Sequence, residues 1–478
     1  VVPDSGDIQI KAKIIKDTLS SFGIDVDVAN VQQGPSVTQY ALSAKVGTKI
    51  SKISTLQHDL ALALASPTGS VRIEAPIPGK SLIGIEVPNT SRVLVHFKSL
   101  LTADSMKNLK SKLGIVLGKD VAGGTRVHDI DKMPHLLVAG ATGSGKSVFI
   151  HSVIFSLLFR ASPQEVKFIL IDPKRVELVH YHGIPHLYAP VVTDIDKAPS
   201  VFRWAVIEME RRYKLFESAK VRNIDGYNEK SGFQALPYII IIVDELAEIM
   251  LADPKGVESS VVRVAQMARA TGLHLILATQ RPSTNVISGL IKANIPSRIA
   301  FGVTSQIDSR VIIDQPGAEK LLGQGDMLFV PPDVQKPIRL QGPFISDKEI
   351  SNLVNWLKNT GVKPDYRNEI FEVAPRVYGN GGAIGGSGSD SGDDKFNEAV
   401  ELVTSLGKAS ASLLQRRLSI GYARAARIID EMEEKGIIGP QQGSKPREIL
   451  SVGGTAGTSS AGGSVPTHNL NIDDDYVS

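Results

Sequence analysis

The chain is 478 residues long, 42% hydrophobic and 22% charged, which excludes a wholly disordered protein and is too long for one ordinary core. Its 53 Lys and Arg against 50 Asp and Glu leave a formal net charge of +3, so bulk charge points to no class of partner and any basic surface must be local. Cysteine is absent, which excludes disulfides, thiolate metal sites and cysteine nucleophiles, and no apolar run reaches the ~18 residues that cross a bilayer.

Residues 8–90 carry their own rhythm. Val37-Thr38-Gln39-Tyr40-Ala41-Leu42 alternates as a strand does, residues 52–64 repeat at helical spacing, and 71–75 and 82–87 alternate again. Pro76, Pro78 and Gly79 separate the last two as a turn. The pattern predicts a small α/β domain with no catalytic constellation.

From 91 to 375, short apolar strands at 136–139, 166–171, 238–243, 273–278 and 297–301 alternate with longer helical stretches. Strands apolar throughout and separated by helices imply a mostly parallel sheet covered on both faces, with ligands beyond the carboxyl ends of its strands. The first strand runs into Gly140-Ala141-Thr142-Gly143-Ser144-Gly145-Lys146-Ser147, the full G-x-x-x-x-G-K-[ST] pattern, and a buried helix is predicted over 148–159. Glycines let such a loop wrap phosphates with its N–H groups turned inward. Lys146 supplies a charge near the β/γ-phosphates of ATP, and the Ser147 hydroxyl is a Mg²⁺ ligand. Pattern and context together indicate a nucleotide-binding protein.

Asp172-Pro173-Lys174-Arg175 ends the next strand and is read as structural or as a loop facing a pore, with no chemistry assigned. The charged helix over 208–216 reads as a solvated face above an apolar stripe, or as a subunit contact in an oligomer. Asp244 and Glu245 follow the isoleucine-rich strand directly. Asp244 would hold Mg²⁺ through water and Glu245 would polarise the attacking water; the alternative is two solvated loop acids. Gln280 is either a γ-phosphate sensor or an ordinary strand-end amide. Arg298 and Arg310 are either cations reaching the γ-phosphate of a neighbouring subunit or ion pairs between helices. A helix over 348–359 caps the domain.

Residues 376–392 are rich in Gly and Ser, too poor in apolar groups for a core, and read as a tether, native or engineered. Residues 393–450 divide into helices over 394–405, 410–418 and 421–435, the last two separated by Ser419-Ile420-Gly421 as in a helix-turn-helix. A short strand, a polar turn and a second strand then make a wing. Lys408, Arg416, Arg417, Arg424 and Arg427 share a stretch without an acid, while Asp430, Glu431, Glu433 and Glu434 gather at the far end of the third helix. This distribution suits a recognition helix meeting the major groove and its phosphates, with Lys445 and Arg447 reaching an adjacent backbone or the minor groove. A winged helix used for protein contacts is the alternative. Residues 451–478, mostly Gly, Ser, Thr and Asp, are predicted to be disordered.

Several segments together resemble the bacterial septal double-stranded DNA translocases. They are His135 to Ser147, Ile171-Asp172-Pro173-Lys174, Glu208-Met209-Glu210-Arg211-Arg212-Tyr213, Ile242-Val243-Asp244-Glu245-Leu246-Ala247, Ala278 to Ser283, and Gly421 to Ile429. Residues 289–296 and 323–328 extend the resemblance, which covers about 8–360 and 393–450. It implies a small first domain, a RecA-like P-loop ATPase motor at 91–375 and a winged-helix domain at 393–450. It further implies a homohexamer around double-stranded DNA, membrane anchoring by a preceding segment at the division septum, and contact with a tyrosine recombinase in division-associated members.

Carried onto this chain, the resemblance gives Lys146 and Ser147 to nucleotide and Mg²⁺, and Asp244 and Glu245 to hydrolysis. Gln280 becomes the γ-phosphate sensor, Arg298 the first and Arg310 the second choice for the trans-acting arginine. Lys292, Lys320 and Lys336 fall in the region whose loops face the DNA channel. Arg175 stands where the family pattern has an apolar residue. Competing readings are an ATPase that moves protein or nucleoprotein, and a DNA-binding regulator controlled by nucleotide.

Overall fold

The computed structural model describes residues 5–45, 47–232, 235–334, 336–373, 395–418, 420–434 and 437–439, together with Arg447 and Ile449. The chain separates into two compact units, Val1–Tyr378 and Gly379–Ser478.

The first unit opens with the helix Ile8–Ser21, capped by Asp7, whose carboxylate accepts from the N–H groups of Gln9 and Ile10 at 2.9 and 3.1 Å. Four strands follow: β1 (Val26–Gln33), β2 (Val37–Ala44), β3 (Arg72–Glu74) and β4 (Ile83–Pro88), paired antiparallel in the order β1-β2-β4-β3. Ile15 and Leu19 of the helix pack against Leu42, Ile53, Leu60 and Ile85 to form their own core. The stretch read as one helix over 52–64 is two short ones, Ile50–Thr55 and Gln57–Ala63.

The larger sheet has nine strands: β5 (Gly114–Asp120), β6 (Thr125–Asp129), β7 (His135–Ala139), β8 (Val166–Ile171), β9 (Tyr238–Val243), β10 (Leu273–Thr279), β11 (Ser297–Phe301), β12 (Asp326–Val330) and β13 (Ile338–Gln341). Their order is β6-β5-β13-β12-β11-β7-β10-β9-β8. The five strands from β11 to β8 are parallel, and the remaining pairings are antiparallel. The expectation of a mostly parallel sheet is therefore corrected. Charges interrupt or end β5, β6 and β13 (Lys119, Asp120, Arg126, Asp129, Arg339), so apolar runs do not reveal those three, whereas β12 has an apolar run, Met327–Val330, whose antiparallel pairing the pattern does not announce.

Burial on both faces is visible residue by residue. Ile240 and Ile242 of β9 enter one core, while Ile239, Ile241 and Val243 enter the other. The charged helix Ala198–Ala219 is also not what its pattern implied. Glu208 and Arg212 are buried and paired at 2.8 Å, and Arg212 donates to the carbonyls of Pro237 and Thr271, both at 2.8 Å. The guanidinium thus satisfies backbone at the amino-terminal edges of β9 and β10, where water cannot.

The two sheets of the first unit are joined by a buried charge cluster. Arg339 of β13 donates to Glu86 of β4 at 2.8 Å and to Asp326 of β12 at 2.6 and 3.0 Å, and Arg72 of β3 reaches Glu86 at 2.9 Å.

The second unit contains the helices Phe396–Leu406, Ala411–Leu418 and Tyr422–Glu434, near the predicted bounds. Val403, Leu414, Ala425, Ile428 and Ile438 form its core. Bridges pair Ala409 with Arg447 and Ile438 with Ile449. The tether at 376–392, the tail at 451–478, Lys445 and most of the proposed wing lie outside the described residues. Among the described residues no helix is long and apolar enough to cross a membrane.

Candidate active site

β7 lies in the middle of the large sheet, and the chain leaves it through 140–145 into the helix Lys146–Leu158. Two glycines make the turn possible: Gly143 has φ +74° and Gly145 φ +110°. A Cβ at Gly145 would stand 2.4 Å from the Gly325 nitrogen, so this position also needs glycine for space. Neighbouring strands hold the loop. Ala141 N–H donates to Gly302 at 2.9 Å, and Gly325 N–H donates to the Ser144 carbonyl at 2.8 Å. The helix has no side-chain cap, which leaves its positive end turned to the loop.

Gly143, Gly145, Lys146 and Ser147 line a cleft of about 480 Å³ shared with Gln280 and Glu177. Leu94, Val95, Pro343, Phe344 and Ile345 give its far wall an apolar character. An apolar cleft with a few convergent polar groups is the usual form of a small-molecule site. Thr142 donates to the Gln280 side-chain oxygen at 3.1 Å, so Gln280 spans from the end of β10 to the phosphate loop.

Lys146 is buried and donates to both the carboxylate and the carbonyl oxygen of Asp244 at 2.7 Å. The other Asp244 oxygen, Oδ2, is buried with no hydrogen-bond partner among the described residues. An acceptor left this way beside the phosphate loop fits the water shell of a hard cation. Among the described residues no three His, Cys, Asp or Glu could hold a metal by themselves. Ser147 and Asp244 thus fit Mg²⁺ only as a partial shell completed by water and phosphate oxygens, as this ion prefers.

Glu245 is fully buried, which removes the solvated-acid alternative. Thr279 donates to Oε1 at 2.6 Å, the Gln280 N–H lies 3.1 Å from Oε1, and Lys174 donates to Oε2 at 2.8 Å. Burial pushes this carboxyl up, but the hydrogen bonds from Lys174 and Thr279, with the charge of Lys174, more than offset it and hold the pKa below the usual range. Lys174 was given no chemistry from sequence. Its segment, 171–174, follows a buried strand and carries part of the resemblance, but the partner lies too far along the chain for spacing to show.

Asp172 is structural. Its Oδ2 accepts from the N–H groups of Val176, Glu177 and Leu178 at 3.0, 3.0 and 2.9 Å, and Arg175 turns the loop at φ +58°.

Asp244 and Glu245 stand behind the cleft, joined to it through Lys146 and Gln280, and the remaining predicted residues do not line it. Arg298 pairs with Asp314, which Lys292 also reaches at 2.7 Å. Arg310 is exposed on the helix Gln306–Ile313. Lys320 donates to Gln57 at 2.6 Å, and Lys336 meets the Pro76 carbonyl and lies 3.7 Å from Glu74, so both contact the small sheet's domain. In the second unit Arg416, Arg417 and Arg427 are exposed and Arg424 is half-buried. Arg447 is engaged by Glu433 and, at 3.3 Å, by Asp430.

Three family models match the chain: the FtsK/SpoIIIE family over 97–284, the Ftsk gamma domain over 390–451 and the FtsK alpha domain over 2–89. The DNA translocase FtsK of Caldanaerobacter subterraneus subsp. tengcongensis is 54% identical over 92% of this chain and 60% of its own length. The DNA translocase SpoIIIE of Bacillus subtilis is 51% identical over 94% of this chain and 56% of its own length. The chain thus spans less than two thirds of these relatives. Among solved structures, the pCW3 conjugation coupling protein TcpA aligns with a TM-score of 0.52 at 23% identity, covering 74% of this chain and 99% of its own. That likeness concerns fold alone, a RecA-like ATPase fold.

Proposed function

This chain belongs to the FtsK/SpoIIIE family, and from that premise we propose that it is an ATPase motor that moves along double-stranded DNA for chromosome segregation at the division or sporulation septum. The observation that carries the reading is the pairing of Lys146 on the phosphate loop with buried Asp244, while buried Glu245 accepts from the N–H of Gln280, a residue that lines the same cleft. Binding alone has little need of a second, ionised carboxylate there.

The residues divide the work. The loop N–H groups and Lys146 hold the phosphates, with Asp244 fixing the lysine. Ser147, and Asp244 through water, are the residues to hold Mg²⁺, which when bound neutralises charge developing on the phosphates. Glu245, kept ionised by Lys174, accepts the proton of the attacking water. Gln280, tied to Thr142, registers the γ-phosphate and passes its loss to β10. Arg310, exposed where Arg298 is held by Asp314, is the better placed of the two to reach a neighbouring copy in a homohexamer. Lys292, Lys320 and Lys336 stay candidates for backbone contact in the channel. Residues 393–450 act as a winged helix whose Arg416, Arg417, Arg424 and Arg427 read duplex orientation, and which meets a tyrosine recombinase. A membrane anchor outside this chain places the motor at the septum.

The test is displacement of a labelled third strand from duplex DNA, run beside ATP turnover. Wild-type protein should displace the strand with ATP and not with a non-hydrolysable analogue, and Lys146→Ala should lose both activities. Turnover stimulated by a polypeptide and not by naked duplex would instead favour a protein-moving ATPase.

A further inference from the structure

Gln341, at the end of β13, belongs to two boundaries at once. It lines the nucleotide cleft together with Gln324, Gly325 and Gly342, and its side chain also reaches the small domain at Ser36. Residues two apart on a strand share a face. Gln341 therefore lies on the same face of β13 as Arg339, which holds Glu86 of β4.

Only one orientation of the Gln341 amide satisfies both neighbours. Nε2 donates to the Gln324 carbonyl at 2.8 Å, and Oε1 accepts from the Ser36 hydroxyl. A flipped amide would set its oxygen against the Gln324 carbonyl, where no proton is available. Gln324 is left-handed at φ +52°, an uncommon conformation for a residue with a side chain, and the amide helps to hold it there. A Cβ at Gly325 would stand 2.9 Å from Nε2, so glycine at that position gives the amide its room. The N–H of the same Gly325 holds the Ser144 carbonyl of the phosphate loop.

Ser36 is fixed from its own side. It is buried in the turn between β1 and β2, where the Asn89 N–H donates to the Ser36 carbonyl at 3.0 Å and the Asn89 side chain donates to the Gly34 carbonyl at 2.9 Å. Gly34 lets this turn approach the large sheet: a Cβ there would lie 2.7 Å from the Val121 carbonyl oxygen. A turn anchored on both sides thus delivers the hydroxyl to Gln341.

We propose that Ser36 is a positioning residue of the nucleotide site, acting from the small domain through Gln341. Fixing the amide fixes the Gln324 carbonyl, and with it the Gly325 N–H that shapes the phosphate loop. Without the hydroxyl the amide turns, and nucleotide must order the loop as it binds, at a cost in affinity. A domain with no catalytic constellation of its own thereby shares in holding the phosphates. The proposal rests on the cleft being the ATP site.

The experiment compares wild-type full chain with Ser36→Ala, Gln341→Met and the double variant. Hydrogen exchange is followed over residues 324–326 without nucleotide. Affinity is measured for a fluorescent, non-hydrolysable ATP analogue with Mg²⁺, at a temperature where every variant is fully folded, so that lost stability alone leaves it unchanged. Ser36→Ala should speed exchange over 324–326 and weaken analogue binding by about three- to tenfold, the span of one net hydrogen bond, although Ser36 does not line the cleft. The double variant should bind no more weakly than Gln341→Met, because the serine acts only through that amide. Unchanged exchange, unchanged affinity, or losses that multiply in the double variant overturn the proposal while leaving the nucleotide site in place. If Gln341→Met does not fold, Ser36→Ala, which removes a single oxygen atom, decides by exchange and affinity together. A wild-type chain that fails to bind the analogue would overturn the ATP reading and this proposal with it.

Discussion

At the scale of single residues, the candidate site is governed by who holds Glu245. Burial alone would raise its pKa and protonate it; Lys174, Thr279 and the Gln280 N–H reverse that. Its folded-state pKa is depressed, so the ionised, proton-accepting form persists above that value and disappears as pH falls through it. Lys174→Met removes the strongest opposing contact and leaves burial less checked. The acidic limb of the pH profile of ATP turnover should then move to higher pH, with turnover at high pH recovering toward wild type. An acidic limb that stays in place would show that Lys174 does not set it. Lys146, Asp244 and Glu245 were legible because each sits in a contiguous motif beside an apolar strand. Lys174 also follows an apolar strand, in a segment that carries the resemblance, but its role was not legible, because its partner Glu245 lies 71 residues further along the chain.

At the scale of elements, Arg339 is the tie between the small sheet and the antiparallel half of the large one. Burial pushes the Glu86 carboxyl up, but Arg72 and Arg339 outweigh it and hold the pKa below the usual range. Glu86 therefore adds stability above its unfolded pKa, and that stability is lost as pH falls through the lower folded value. Arg339→Ala leaves Glu86 and Asp326 buried without their shared partner, and breaking one side of such a cluster costs about 3–5 kcal/mol. Chemical denaturation at neutral pH should show a loss of that order, shrinking in acid as the carboxylates protonate. An equal loss at all pH values would mean that packing, not charge, is what Arg339 provides. The parallel strands could be read from their unbroken apolar runs. β13 could not, since Arg339, which joins the two sheets, also interrupts its pattern, and β5 and β6 carry charges of their own hairpin such as Asp120 and Arg126.

At the scale of the whole molecule, the chain holds two units with separate cores. The three helices of the second unit were legible from period and from glycine breaks, but its wing falls mostly outside the described residues. Separate cores predict separate unfolding. Calorimetry should resolve two transitions, and saturating Mg²⁺ with a non-hydrolysable ATP analogue should raise only the one belonging to residues 1–378. At a hundredfold excess over Kd the stabilisation is about 2.7 kcal/mol. A shift of both transitions together would show that the units unfold as one.

The roof of the phosphate loop comes from far downstream. Gly325 N–H holds the Ser144 carbonyl at 2.8 Å, and Gly342 N–H in turn holds the Gly325 carbonyl at 2.7 Å. On the ribosome, then, the nascent polypeptide carries its glycine-rich signature long before that signature can take its final shape. The cradle closes only after residues 325 and 342 have emerged, so nucleotide can reward the finished motor and cannot act as a template for its early folding.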